Sequence, residues 1–391
     1  MEVVSVHIAQ RMAKVPPYLF AATKKTIAQM TANGIDVIDL DIGNPDLPAP
    51  AHVVEALARA GQDPTTHRYP PYLGLPALRQ AICAYYQRRF GVDLDPATQV
   101  VLLGGSKGGI VHLCQAVLDP GDVALLPDPG YLTYGAAAAM SEAQVFHVPL
   151  RAERGWQPDF AAIPADVARR ARLLWLNYPN NPTAAVVREH TFAEAVAFAR
   201  EYDVLICHDA PYTEICFDGY IAPSFLQTPG AMEVGVEFNS FSKTYHMAGF
   251  RLGYMVGNAD AVDLLARILT NTDTGIFTAV QYAGLAALEG DQSWMSERNA
   301  VYARRRDLVV DAVNGMGLQA ERPLASLYVW AHVPEGYTSG SFCQRMLEEA
   351  HVSLAPGVAY GPHGEGYVRF SLTNSEERLA EAMERMRRVL V

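Results

Sequence analysis

Lys243 stands between short hydroxyl residues in the string Ser240-Phe241-Ser242-Lys243-Thr244-Tyr245-His246-Met247-Ala248-Gly249-Phe250-Arg251-Leu252-Gly253. Residues 234–238 before it and 252–257 after it are apolar runs of strand length. A lone amine at a strand end among apolar neighbours is desolvated, which disfavours its ammonium form and pulls its pKa down from about 10.4. A neutral amine can attack an aldehyde and form a Schiff base. Ser240, Ser242 and Arg251 then suit a phosphate on the aldehyde's carrier. Ser-x-Ser-Lys alone also describes many ordinary surface lysines, whereas the longer string with Gly249 and Arg251 is far more specific.

Other polar groups stand where strands should end. Residues 100–103 read as a strand, followed by Gly104-Gly105-Ser106-Lys107-Gly108-Gly109 and an apolar helix over 110–118. The loop is neither a Walker A motif nor a clean Gly-x-Gly-x-x-Gly fingerprint. It is a small-residue loop opening a helix, where free N–H groups and the helix dipole favour an anion. Gly105, Ser106 and Lys107 therefore read as a phosphate cradle. Tyr131 follows the turn Asp128-Pro129-Gly130; it could cap a loop or stack on an aromatic ring. Residues 204–207 are apolar and run into His208-Asp209, so Asp209 is a buried ion-pair member, a helix cap or a functional carboxylate. No third and fourth ligand at credible spacing supports a metal there. Arg369 inside the strand pattern 367–372 is either an ion-pair partner or a bidentate carboxylate clamp.

The elements that must position these groups follow a βαβ rhythm. Further strands are expected over 123–126, 144–149, 172–176 and 204–207, with a helix over 192–202 among the intervening segments. The predicted class is α/β, a mostly parallel sheet with helices on both faces and a smaller C-terminal α/β domain. In such a sheet the glycine loop, Tyr131, Asn181, Asp209 and Lys243 share the C-terminal strand edge, where open parallel sheets bind ligands. Pro16-Pro17-Tyr18 stiffens an N-terminal arm, residues 24–30 are helical in character, and residues 35–42 read as a strand ending in Gly43-Asn44-Pro45. Helices are expected over 53–58, 78–90, 279–288, 294–314 and 341–350, with an alternating strand over 326–333. Arg304-Arg305-Arg306 is most simply a solvated helix face. The expected domains are 1–44 (arm and part of the small domain), 45–288 (large domain) and 289–391 (small domain).

Bulk properties narrow the functional classes. A chain of 391 residues exceeds one ordinary core. Half the residues are apolar and 19% charged, as in a soluble globular protein, and a formal charge of −11 argues against nucleic acid or an anionic membrane as partner. Five scattered cysteines without Cys-x-x-Cys spacing suggest free thiols in a reducing cytoplasm. Neither a signal peptide nor a bilayer-spanning run is expected.

The lysine string, Asn177-Tyr178-Pro179-Asn180-Asn181-Pro182-Thr183, Cys207-His208-Asp209 and Arg369-Phe370-Ser371-Leu372 together resemble the fold-type I pyridoxal-phosphate aminotransferases of class I/II. Similarity runs from Pro16-Pro17-Tyr18-Leu19-Phe20 to Arg369, and Asp218-Gly219-Tyr220 and Val333-Pro334-Glu335-Gly336-Tyr337 point within the class to the LL-diaminopimelate aminotransferase group. The resemblance implies a pyridoxal 5′-phosphate cofactor, amino acid and 2-oxo acid substrates (2-oxoglutarate/glutamate among them), and a homodimer in which Tyr69 reaches the neighbour's cofactor phosphate. It implies that Lys243 carries the cofactor and moves protons, that Asp209 faces the ring nitrogen and that Tyr131 covers the ring. Tyr212 would bond the ring hydroxyl, and Asn181 would bond that hydroxyl and the substrate carboxylate. Gly43 would offer its N–H to the carboxylate, and Arg369 would clamp it. His246 and Ala248 replace the Asn and Thr common in relatives, Gly108 a common Glu, and Ala184 the Gly of Asn-Pro-Thr-Gly. These departures bear on substrate choice. Arg68 and His67 are candidates for meeting a distal carboxylate across the dimer. An aspartate or alanine aminotransferase, a β-lyase on the same cofactor, and a ligand-sensing regulator are the alternatives.

Overall fold

The computed structural model describes residues 6–15 and 20–391. The expected Pro16-Pro17-Tyr18 stiffening, and the start of the family-like stretch at Pro16, lie outside the described residues. Along the chain, β1 (Ile38–Asp39) is followed by β2 (Val100–Leu103), β3 (Val123–Asp128), β4 (Gln144–Pro149), β5 (Ala171–Asn177), β6 (Leu205–Asp209), β7 (Gly235–Ser240) and β8 (Gly253–Gly257). Strands β2 to β8 form one seven-stranded sheet in the order β2-β8-β7-β6-β5-β3-β4. Of these strands β8 alone runs antiparallel, to both β2 and β7.

Alternate residues of these strands feed two cores, which is why the runs read as continuously apolar. Leu102, Leu125, Leu174, Leu176 and Ile206 pack to one side with the helices Pro76–Phe90, Thr191–Tyr202 and Thr278–Glu289. Val101, Leu103, Leu126, Trp175, Cys207 and Phe238 pack to the other, against the helices Ser106–Val117, Leu132–Met140 and Ala259–Thr272. The helix Ala259–Thr272 is absent from the sequence reading, although Asn258 caps it and Val262, Leu265 and Leu269 recur at helical spacing.

A second sheet of four strands carries the C-terminal region: β9 (Gln319–Ala320), β10 (Tyr328–His332), β12 (Ala355–Pro356) and β13 (Tyr367–Ser371), in the order β12-β13-β10-β9, with β11 (Val352–Ser353) pairing in parallel with β1. The helices Trp294–Asn314, Ser339–Glu349 and Glu376–Leu390 cover it through Tyr302, Val309, Phe342, Met346, Leu379 and Met383. The strand expected over 35–42 shrinks to two residues, because its partner β11 is itself only two residues long.

The helix Trp294–Asn314 corrects a second expectation. Arg304 is solvated as anticipated, but Arg305 and Arg306 are buried, 4% and 2% exposed. Arg305 makes a two-pronged pair with Asp46 (2.8 and 2.9 Å), and Arg306 reaches Asp218 at 2.6 Å. The short acids lie far away in sequence, so a run of three arginines could not disclose them. The Arg305–Asp46 pair anchors the segment that follows Gly43 to the long helix. Asp46→Ala leaves Arg305 buried without its carboxylate and is expected to cost about 2 kcal/mol in denaturant unfolding, below the full figure for buried pairs because Asp46 is partly solvated.

Among the described residues no helix is long and apolar enough to cross a membrane, and no cluster of three or more His, Cys, Asp or Glu could hold a metal ion. All five cysteines are free thiols, three of them buried.

Candidate active site

The loops following β2, β3, β5, β6 and β7 open into a cavity of about 1010 Å³ between the two sheets. Gly43, Ser106, Lys107, Tyr131, Asn181, Asp209, Tyr212, Ser240, Ser242, Lys243, Arg251 and Arg369 all line it. Gly105 and Tyr69 do not. Gly105 lies directly behind the wall beside Arg251, whereas Tyr69 is 87% exposed on the outer surface. His67 contacts the Gly61 carbonyl at 3.0 Å, and neither it nor Arg68 borders the cavity.

Lys243 sits in the one-turn helix Phe241–Thr244, immediately after β7. Burial disfavours its ammonium form and lowers its pKa; the nearby Arg369 and Arg251 charges lower it further, against an opposing contribution from Tyr328. Its Nζ donates to the Gly43 carbonyl. Gly43 thus presents its carbonyl to the amine, and a side chain there would strike the Tyr328 ring.

Asp209 ends β6, fully buried. Burial raises its pKa to about 6, opposed by the Tyr134 hydroxyl and the neighbouring His208. Tyr134 donates to Oδ2 at 2.8 Å, while Oδ1 is buried without a protein partner. An orphaned carboxylate oxygen facing a cavity suits a protonated ring nitrogen. Tyr134 escaped the sequence reading. It lies three residues after Tyr131, one helical turn on, and stacks on Trp175 with ring centroids 4.8 Å apart.

Arg369 projects from β13 of the other sheet. Burial works against its charge, yet Tyr360, Tyr328, Tyr212 and Asp41 together hold its pKa above the ordinary value. Its guanidinium lies 4.0 Å from the Tyr328 ring centroid and 4.9 Å from that of Tyr360. One arm donates to Asn181 Oδ1 at 2.6 Å and the other to the Asp41 carbonyl, and Nε has no partner. The Asn181 backbone N–H is fixed in turn by Asn177 Oδ1 at 2.7 Å. Tyr328 and Asp41 carried no motif. They reach the arginine only because β10 pairs with β13 and because the chain after β1 lines the same cavity. Tyr212 meets Tyr328, hydroxyl to hydroxyl, at 3.0 Å.

Another part of the cavity wall is built for an anion. Gly105, at φ +95°, precedes the helix Ser106–Val117, whose first N–H groups are free of helical partners. A Cβ at Gly105 would collide with the Arg251 guanidinium. Ser240 accepts the Ser242 N–H at 3.2 Å, and Ser242 Oγ is buried without a partner. A donor set of hydroxyls, helix N–H groups and arginine, with an orphaned acid lining the same cavity, fits a phosphate-bearing pyridine.

Two departures also find their places. Ala184 adopts φ +57°, the left-handed conformation in which a glycine has greater freedom. Buried His246 has its pKa lowered to about 4 by desolvation and by Arg298, and its ring lies 5.9 Å from that of Tyr302.

Comparison with known proteins gives a consistent result. The family model described as aminotransferase class I and II matches residues 35–386. The LL-diaminopimelate aminotransferase of Moorella thermoacetica is 53% identical over 98% of both chains, and that of Desulforudis audaxviator 52% identical over 97% of both. Among solved structures, substrate-bound BacF from Bacillus subtilis is similar at 37% identity and TM-score 0.94, over 99% of this chain and 98% of that one. A Thermus thermophilus aspartate aminotransferase mutant is similar at 29% identity and TM-score 0.92, over 99% and 100%.

Proposed function

Since the chain belongs to the class I and II aminotransferases, we propose that it transfers the amino group of LL-diaminopimelate to a 2-oxo acid, 2-oxoglutarate being the expected acceptor, with pyridoxal 5′-phosphate as cofactor. The convergence of Lys243, Asp209, Asn181 and Arg369 on one cavity carries the amino-transfer reading. The relatives named above, matched along nearly their whole length, support the substrate.

When bound, the cofactor supplies the aldehyde carbon and electron-withdrawing ring that amino transfer requires. Asp209 would hold a negative charge against the ring nitrogen through Oδ1, with Tyr134 fixing Oδ2. Ser240, Ser242, Arg251 and the Gly105-Ser106-Lys107 turn would hold the phosphate, and Tyr131 and Tyr212 would bound the ring. Lys243, uncharged for more of the time than an exposed lysine, would take the proton from the substrate's Cα and hold it at Nζ for redelivery. Arg369, steadied by Tyr328 and Tyr360, would orient the α-carboxylate with Asn181 and the Gly43 backbone.

On this reading residues 45–288 form the cofactor-binding domain, and 1–44 with 289–391 the smaller one. Two copies would pair so that Tyr69 enters the neighbouring site. Its exposure, beside exposed Tyr72, is what such pairing would cover.

Arg369→Lys keeps the charge but loses the fork. It is expected to raise KM for amino donors about 100-fold with a smaller fall in kcat, measured by steady-state kinetics. The function itself is tested by supplying LL-diaminopimelate with 2-oxoglutarate and quantifying glutamate, with aspartate and alanine as competing donors. Glutamate formation at highest kcat/KM with LL-diaminopimelate is expected. Turnover confined to aspartate or alanine overturns the substrate, and oxo acid released beyond one per site without an acceptor overturns the transferase reading.

A further inference from the structure

A second polar cluster lies behind the sheet, outside the cavity. His208, the residue before Asp209 on β6, is wholly buried against wholly buried Glu237 of β7. His208 Nδ1 lies 2.8 Å from Glu237 Oε2, and Nε2 lies 3.1 Å from the backbone carbonyl of Tyr178. Both ring nitrogens therefore face oxygen acceptors. A carbonyl oxygen has no proton to give, so Nε2 must carry one.

Glu237 decides the state of Nδ1. Its Oε1 accepts from the Tyr86 hydroxyl at 2.6 Å, and its Oε2 accepts from the Ser224 hydroxyl and the Phe225 N–H, each at 2.9 Å. Two donors already occupy the lone pairs of Oε2, so that oxygen carries no proton to offer Nδ1. An ionised Glu237 leaves Nδ1 as a donor. The rings of Phe192, 4.9 Å away, and Phe225 close the remaining space.

Resting on the site reading above, we propose that His208 is a positioning residue whose ring donates from both nitrogens, pinning the turn that bears Asn181 to the strand that bears Asp209. The link is covalently short. Tyr178, whose carbonyl it grips, is three residues from Asn181, and Asp209 is its immediate neighbour. Asn177 ties the same turn to β6 from the cavity side by donating to the Asp209 carbonyl at 2.6 Å. The imidazolium also sets a positive group next to Asp209, favouring the ionised carboxylate that the ring nitrogen needs. The charged groups facing His208 are Glu237 and, along the strand, Asp209; Tyr86 is the titratable group beyond Glu237.

The test is nitrogen NMR of the cofactor-loaded enzyme with ring-¹⁵N histidine at pH 8.5, where an ordinary histidine with a pKa of about 6.5 is almost wholly neutral. His208 should show two protonated ring nitrogens; a bare nitrogen overturns the proposal. Loss of the signal in His208→Gln assigns it, and if that variant does not fold, cross-relaxation to the Phe192 ring does. With pyridoxal phosphate as probe, His208→Gln should also move the pH midpoint of cofactor loss upward by about one unit. A midpoint equal to that of the parent overturns the effect on Asp209. Failure of the parent to bind the cofactor would count against the site reading, and the same NMR measurement on the cofactor-free protein would then judge His208.

Discussion

Lys243→Ala lowers the rate of amino transfer about 10⁴-fold, while the protein stays folded and still takes up pyridoxal phosphate. The size of the effect follows from what the amine does. It lines the cavity, uncharged for more of the time than an exposed lysine, and no other basic side chain shares its position after β7. Arg369 and Arg251 border the same cavity but cannot be deprotonated in service of a proton transfer. Cofactor retention follows from the separateness of the Asp209 and phosphate ends, neither of which the substitution touches. Equilibrium dialysis with pyridoxal phosphate, alongside single-turnover rates, checks both halves. A small primary amine added to the variant should restore part of the rate by filling the space and function of the missing side chain. Activity within tenfold of the parent would remove Lys243 from the mechanism.

Asp209→Asn is expected to make the cofactor-free protein more stable at pH 8 and nearly inactive. The folded carboxyl has a pKa of about 6, against 3.8 for the ordinary group, because it is buried with one oxygen unpartnered. The unfolded chain therefore gives up this proton before the folded one does. Its stability contribution is whole below about pH 4 and is lost as the pH rises through 6, a penalty on the order of 3 kcal/mol above that range. Asparagine escapes the penalty yet can still accept from Tyr134. Denaturant unfolding should show the cofactor-free variant ahead of the parent at pH 8, with the gap closing towards pH 4. Catalysis should fall by about 10³-fold, because an amide cannot hold the ring nitrogen protonated. A variant no more stable than its parent at pH 8 would mean that Asp209 is not desolvated in solution. Such a site trades folding stability for a charge placed where chemistry needs it.

The sequence discloses the half of this molecule that repeats a physical rule locally. Strands β2, β3, β5, β6 and β7 are legible because both faces of the central sheet are buried there, and the groups at their ends are legible because a polar residue after an apolar run has few ordinary reasons to be there. Lys243 and Asp209 belong to that class. What stays hidden depends on pairing across distance. Tyr328 reaches Arg369 through the β10–β13 register, Arg305 finds Asp46 across the chain, and His208 finds Glu237 through β6–β7. In the sequence His208 could be noticed only as a neighbour of Asp209 and set aside as a metal ligand without companions. Tyr134 was within reach, one turn beyond Tyr131, but helical spacing alone does not say which strand end a tyrosine will meet.

The central claim is that this one cavity passes an amino group through two half-reactions. Cofactor-loaded enzyme mixed with LL-diaminopimelate and no oxo acid tests it most directly, with the visible band of the bound cofactor and the released oxo acid followed together. The account predicts loss of the band with one oxo acid released per site and then arrest, followed by return of the band when 2-oxoglutarate is added. An unchanged band with every amino donor, or oxo acid released beyond one per site without an acceptor, would contradict it.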